Sequence, residues 1–282
     1  MEQRIKGTTG LLALIGSPVG HSGSPDMYNF CFRYHNLDYS YMAFDIKEDQ
    51  VPAALDAMRL FKMRGCNVTM PCKNKVAQCV DELSPAAKII GAVNTIVNDH
   101  GHLTGHITDG IGFMAALKDN NIDAIGKKMT IVGAGGAATA IEIQAALDGV
   151  GEIVIFNRKD EFWGRAVSTV EKINTRTSSH AVLYDLADLD QLKKEMADSY
   201  IFVNATGVGM KPLEGQSVVP DKSYFRPELI VIDVPYSPLE TKMRSMAKEV
   251  GCKTMNGLGM MLFQGSAAFE LWTGEPMPIE HM

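Results

Sequence analysis

The sequence predicts an α/β protein of two domains, the second a doubly wound parallel sheet, on three observations. Apolar strand-like runs alternate with helical stretches almost throughout. At 282 residues the chain exceeds one domain of about 150. Near its middle the alternation restarts at a glycine-rich turn, MTIVGAGGAATA.

Taken in order, LLALIG and YSYMAFDI are apolar or alternating enough for strands, and SPDMYNFCFRYHN and VPAALDAMRLFKM have helical spacing. NTIVNDHGHLTGHIT reads as a hairpin turning at Asp99-His100-Gly101. TDGIGFMAALKDN is a helix with Thr108 or Asp109 near its start. After the restart, the strands MTIV, EIVIF, AVLY, YIFVN and LIVID alternate with helices. The last segment, GLGMMLFQGSAAFELWTG, is a helix with no strand after it, free to pack back on the first domain. Trp163, Trp272 and the pair Met260-Met261 fall in helical stretches and read as packing residues.

Composition excludes several classes of function. A hydrophobic fraction of 46% with 21% charged residues suits a globular protein, and no segment approaches the roughly 20 apolar residues that span a bilayer. MEQRIKGTTG has no apolar signal-peptide core, so the expectation is a cytoplasmic protein without membrane partners. A net charge of −6 argues against general affinity for nucleic acid. Five scattered cysteines read as reduced, buried thiols, and His21, His102 and His106 lack the carboxylate or cysteine company of a metal site.

Gly133, Ala134, Gly135, Gly136, Ala137 and Ala138 form G-x-G-x-x-A between a strand and a helix. Such glycines allow a tight turn and close backbone approach to a pyrophosphate seated on the helix N-terminus, which makes the second domain Rossmann-type and dinucleotide-binding. The strand that follows ends in Asn157, Arg158, Lys159 and Asp160. An acid there binds the ribose hydroxyls of NAD, whereas cations pair with the 2′-phosphate of NADP. Asp160 also reads as the N-cap of the helix EFWGRAVSTVEKIN. These residues by themselves leave NAD and NADP both open.

In the first domain, Ser24 before Pro25 reads as an N-cap, and with Ser22 it offers hydroxyls for a substrate carboxylate beside a helix N-terminus. Lys73 in MPCKNK and Asp109 in ITDG are, one at a time, an ordinary surface charge and an ordinary cap. Jointly, HSGSP, GCNVTMPCK, GAVNT, TDGIGF, GAGGAATA, NATGVGM, DVPYSPLET and NGLGMMLFQG follow the order and spacing of the shikimate dehydrogenase family from Gly16 to Gly265, and the chain resembles it over nearly its whole length. NRKDEFW, DELSPAAKIIGAVNTIVND and GMKPLE look more like the quinate/shikimate dehydrogenase branch.

The resemblance implies reversible hydride transfer between a nicotinamide cofactor and a ring hydroxyl of shikimate or quinate, giving the 3-dehydro ketone, within aromatic amino acid and chorismate biosynthesis or quinate use. It implies a substrate domain of residues 1–108 with 258–282 and a cofactor domain of 109–257. Lys73 and Asp109 would be the catalytic pair. Ser22 and Ser24 would bind the substrate carboxylate with Tyr41 near it, and Thr69, Asn94 and Gln264 the ring hydroxyls. Tyr236 of DVPYSPLET and Gly257 of NGLGMM would join the glycine turn and Asn157–Asp160 at the cofactor, with NAD preferred and NADP accepted. A homodimer is compatible with this picture. The family's NTDG reads ITDG here, with Ile107 in place of the amide, and Cys72 replaces an aromatic or asparagine. The competing readings are a catalytically silent nicotinamide-cofactor-binding regulator and a methylene-tetrahydrofolate dehydrogenase-like enzyme, which leaves the serine pair and Gln264 without roles.

Overall fold

The computed structural model describes residues 5–281, so the reading of MEQRIKGTTG falls partly outside the described residues. The chain divides into two compact units, one running up to Thr108 and resuming at Gln264, the other Asp109–Phe263.

The first unit contains β1 (Gly10–Gly16), α1 (Ser24–Tyr34), β2 (Tyr39–Asp45), α2 (Val51–Leu60), β3 (Gly65–Val68), α3 (Lys73–Ala77), β4 (Glu82–Leu83), α4 (Pro85–Ile90), β5 (Thr95–Asp99) and β6 (His102–His106). Its sheet runs β2-β1-β3-β5-β6-β4, with β1 parallel to β2 and β3 and with β5 antiparallel to both neighbours. Leu12, Ala13, Leu14 and Ile15 are all buried, which is why β1 reads as an unbroken apolar run rather than an alternating one. The β5-β6 hairpin turns as its sequence demands: His100 and Gly101 adopt φ 52° and 97°, and Asn98 Oδ1 accepts from the Gly101 N–H at 2.7 Å.

The second unit contains α5 (Asp109–Asp119), β7 (Lys128–Val132), α6 (Gly136–Asp148), β8 (Glu152–Asn157), α7 (Trp163–Arg176), β9 (His180–Asp185), α8 (Leu189–Asp198), β10 (Ile201–Asn204), β11 (Ile230–Asp233), α9 (Lys242–Val250) and β12 (Thr254–Asn256). Its strands are all parallel in the order β12-β11-β10-β7-β8-β9. The strand order reverses between β7 and β10, the switch point outside which open α/β sheets bind ligands. One side of this sheet buries Val132, Phe156, Phe202 and Val231 under Leu192 and Met196 of α8 and Met243 and Ala247 of α9. The five expected strands are present. The sixth, β12, is three residues long, too short for any period to register in sequence.

The last helix, α10 (Leu258–Thr273), crosses the division between the units. Its later half belongs to the first unit. Trp272 is buried and its indole N–H donates to the Ile96 carbonyl at 2.9 Å. A Cβ on Gly65 would lie 2.3 Å from that indole nitrogen, so β3 can pass beneath the ring only as glycine. Phe269 stacks on Phe32, Trp272 meets Tyr28 edge-on, and Arg64 ties the helix end by donating to the Trp272 carbonyl at 2.8 Å. Burying each of these apolar rings contributes roughly 1.5–3 kcal/mol. Met260 is buried, but Met261 is 45% exposed and packs in no core.

Candidate active site

In the first unit the polar residues singled out by sequence gather at one edge of the sheet. β1 ends at Gly16 and runs on to Ser22 and Ser24; β3 ends at Val68 and leads to Thr69 and Lys73; Asn94 precedes the antiparallel β5; and β6 leads to Thr108. Gly16 has φ +150°, and a Cβ there would lie 2.4 Å from the Thr69 methyl, so the two strand ends close on each other only through a glycine.

Ser24 proves to be the first helical residue of α1 rather than its N-cap, a position taken by Gly23 with no side-chain cap bond. Ser22 Oγ accepts from the Ser24 N–H at 3.2 Å, a local turn that fixes the pair ahead of Pro25. Lys73 opens α3, its carbonyl accepting from the Val93 N–H at 3.0 Å, so its backbone is pinned beside Asn94.

Asn94 is the best-determined group of the site. Its side-chain oxygen accepts from the Thr108 N–H at 2.9 Å, and a backbone N–H can only donate, so the amide has one orientation. Thr95 Oγ1 donates to the same oxygen at 3.0 Å, while Asn94 Nδ2 donates to Thr108 Oγ1 at 3.0 Å. Among the described residues the second amide hydrogen has no acceptor, and Asn94 presents it as a donor. Thr108 Oγ1 also reaches Gln264 Oε1 at 3.3 Å, which brings α10 into the same network. Thr108, fully buried, was not singled out as a site residue; a threonine before a helix start looks in sequence like any cap.

Tyr41 is placed differently from the others. It is 2% exposed, its ring lies tilted against Tyr28 with centroids 4.7 Å apart, and it donates its hydroxyl to Asn67 Oδ1 at 2.7 Å. Asn67 passes the interaction on by donating to Thr95 Oγ1 at 3.1 Å. Tyr41 therefore reaches Asn94 through a chain of buried partners. Burial pushes its phenol well above the ordinary tyrosine value, so the hydroxyl is a fixed donor.

In the second unit, Gly133 adopts φ +125° with its N–H bonded to the Phe156 carbonyl at 2.8 Å, and a Cβ there would meet the Ala205 carbonyl oxygen at 2.9 Å. Ala134 is buried behind the turn, whereas Cβ atoms on Gly135 or Gly136 would project into open space. No side chain caps α6. Its first N–H groups, with the open cradle above the two glycines, fit a pyrophosphate. Asp109 opens α5 in this unit, and next to it a Cβ on Gly110 would lie 2.3 Å from the Ala140 carbonyl oxygen, so a close helix crossing against α6 sets where Asp109 stands.

At the end of β8, Asn157 Nδ2 donates to Asp160 Oδ1 at 3.1 Å, and the same oxygen accepts from the Phe162 N–H at 2.9 Å. Asp160 thus closes a turn and is not the N-cap of α7, because the helix begins three residues later at Trp163. Among the described residues its second oxygen accepts no hydrogen bond. Tyr236, 44% exposed, lies in the loop after β11. That loop is held from beneath: the Asp233 carboxylate accepts from Asn204 Nδ2 at 2.7 Å and from the Thr241 hydroxyl. Burial pushes the Asp233 carboxyl up to about 6 despite these donors.

Gly257 follows β12, and a Cβ there would sit 1.8 Å from the Val234 carbonyl oxygen. Its glycine is therefore a requirement of packing beside the Tyr236 loop. Gly257→Ala is expected to force the two backbones apart at a cost of about 1–3 kcal/mol, read as a lowered urea midpoint. An unchanged midpoint would contradict the contact.

Comparison with known proteins identifies the family. Residues 14–96 match the family described as Shikimate dehydrogenase substrate binding domain, and residues 257–282 that described as Shikimate 5'-dehydrogenase C-terminal domain. A "Shikimate dehydrogenase (NADP(+))" of Listeria innocua is 56% identical over 280 residues, covering 99% of this chain and 96% of the relative. The structure of the Listeria monocytogenes shikimate 5-dehydrogenase in complex with shikimate and NAD superposes with a TM-score of 0.97 at 55% identity, covering 100% of this chain and 97% of that one. Quinate dehydrogenase from Corynebacterium glutamicum in complex with NAD gives 0.85 at 30% identity, over 97% and 96%.

Proposed function

The chain belongs to the shikimate dehydrogenase family, and from that premise we propose that it oxidises shikimate reversibly to 3-dehydroshikimate with NAD(P), using Lys73 and Asp109 as the pair at the reacting hydroxyl. The observation that carries the site assignment is the oriented Asn94 amide, whose spare N–H is a donor placed at the sheet edge that also carries Ser22, Ser24, Thr69 and Lys73. Membership sets aside the silent regulator and the methylene-tetrahydrofolate dehydrogenase-like reading.

The bound nicotinamide supplies the hydride acceptor, or the donor in the reverse direction. Lys73 takes the hydroxyl proton as the carbon gives up hydride, and returns it in reduction, with Asp109 as the other member of the catalytic pair. Ser22 and Ser24 bind the carboxylate. Asn94, Thr69 and Gln264 hydrogen-bond the remaining hydroxyls, so a substrate lacking one of them strands a polar partner and is rejected. Gly133–Ala137 seat the pyrophosphate and Asp160 takes the ribose hydroxyls, with Tyr236 and Gly257 on the same edge of the second sheet. The preference is for NAD, with NADP accepted, and quinate is a second substrate because it shares the carboxylate and much of the hydroxyl pattern.

A four-way rate comparison tests this: shikimate or quinate with NAD⁺ or NADP⁺, followed by reduced-nicotinamide absorbance. Good turnover with NAD⁺ and either acid is the expected result. Turnover confined to shikimate with NADP⁺ would overturn both the NAD preference and the quinate activity.

A further inference from the structure

The end of β9 carries a carboxylate that the reading above leaves without a role. Asp185 is the register partner of Asn157, so it stands beside the strand end that offers Arg158, Lys159 and Asp160. One of its oxygens accepts from the Ala187 N–H at 3.0 Å, which with Lys159 holds the carboxyl below the usual aspartate range. The other oxygen lies 3.3 Å from Lys159 Nζ. Lys159 is held from a second side as well, its ammonium 5.7 Å from the centre of the Trp163 ring. Arg158 differs: among the described residues its guanidinium is in no salt bridge.

Resting on the reading of the β8 end as the ribose site, we propose that Asp185 is a specificity-determining residue which disfavours NADP by holding Lys159 away from the 2′-phosphate. A 2′-phosphate brings about −1.5 to −2 charges. To use both neighbouring cations it must draw Lys159 off Asp185, and it then faces two uncompensated carboxylates, Asp160 and Asp185. A ribose with free hydroxyls meets neither demand. Lys159 is 67% exposed, and pairs at that exposure are weak, so Asp185 sets a preference and not an exclusion.

The experiment is a calorimetric titration of the whole protein with NAD⁺ and NADP⁺, comparing wild type, Asp185→Asn, Lys159→Gln and the double variant. Asparagine keeps the side-chain oxygen that accepts from Ala187 and removes only the charge. Asp185→Asn is expected to tighten NADP⁺ by about three- to fivefold and to change NAD⁺ less than twofold, with the gain shrinking in high salt. Lys159→Gln in the Asp185→Asn background should cancel the gain. Equal changes for both cofactors, no change, or a gain that survives Lys159→Gln would each overturn the proposal. Asp160→Asn examines the underlying reading separately: if it leaves NAD⁺ affinity intact, the ribose assignment fails while the Asp185–Lys159 coupling is still decided by its own cycle.

Discussion

Lys73→Ala is expected to lower turnover by about 10²- to 10⁴-fold while the dissociation constants of NAD⁺ and NADP⁺ change little. That range is what a positioned proton-transfer group ordinarily supplies. Truncation spares the local backbone, because Lys73 holds Val93 through its carbonyl and not its side chain. The proposed cofactor cradle, Gly133–Ala137, belongs to the other unit of the chain, so cofactor affinity should survive. Stopped-flow single turnover with separate binding titrations distinguishes the two effects. A parallel loss of cofactor affinity would remove Lys73 from the proton-transfer role.

The second large effect lies away from the chemistry. Glu142 is fully buried on α6, and neither of its carboxylate oxygens has a hydrogen-bond partner among the described residues. Thr139 Oγ1, three residues earlier on the same helix, is likewise without one. Burial pushes the Glu142 carboxyl up to about 8 from an ordinary value of 4.5. Between those two pH values the unfolded chain releases this proton and the folded chain keeps it. Folding stability therefore falls as pH rises from about 4.5 and levels off above about 8, a loss on the order of 5 kcal/mol. Glu142→Gln should flatten the difference in urea stability between pH 5 and pH 8. Glu142→Met, similar in length and apolar, should be more stable than wild type at pH 8. If the pH slope of the Gln variant matches that of wild type, Glu142 is not the group responsible.

Sequence and structure carry different parts of this protein. The second sheet was readable because its strands are buried on both faces, so Ile153–Phe156 is an unbroken apolar run and Met129–Val132 is interrupted only by the buried Thr130, and because a glycine turn separates β7 from α6. The hairpin at His100-Gly101 was readable because only certain residues tolerate its positive φ angles. Lys73, Asp109, Asn94 and Gln264 stood out through the family resemblance, since each alone is an ordinary polar residue.

What the sequence determined by itself was local: the periods, the turns, the cradle and the motif order that names the family. Long-range partners were left to the tertiary structure. The orientation of Asn94 depends on Thr108 and Thr95, the burial of Tyr41 on Asn67 and Tyr28, and the pairing of Lys159 on Asp185, 26 positions further along. Gly257 illustrates the division. Its motif suggested a cofactor contact, but only folded backbone brings the Val234 carbonyl to within 1.8 Å of where a side chain would begin. A hydrogen bond or a clash between distant positions has no period along the chain, so only folding reveals it.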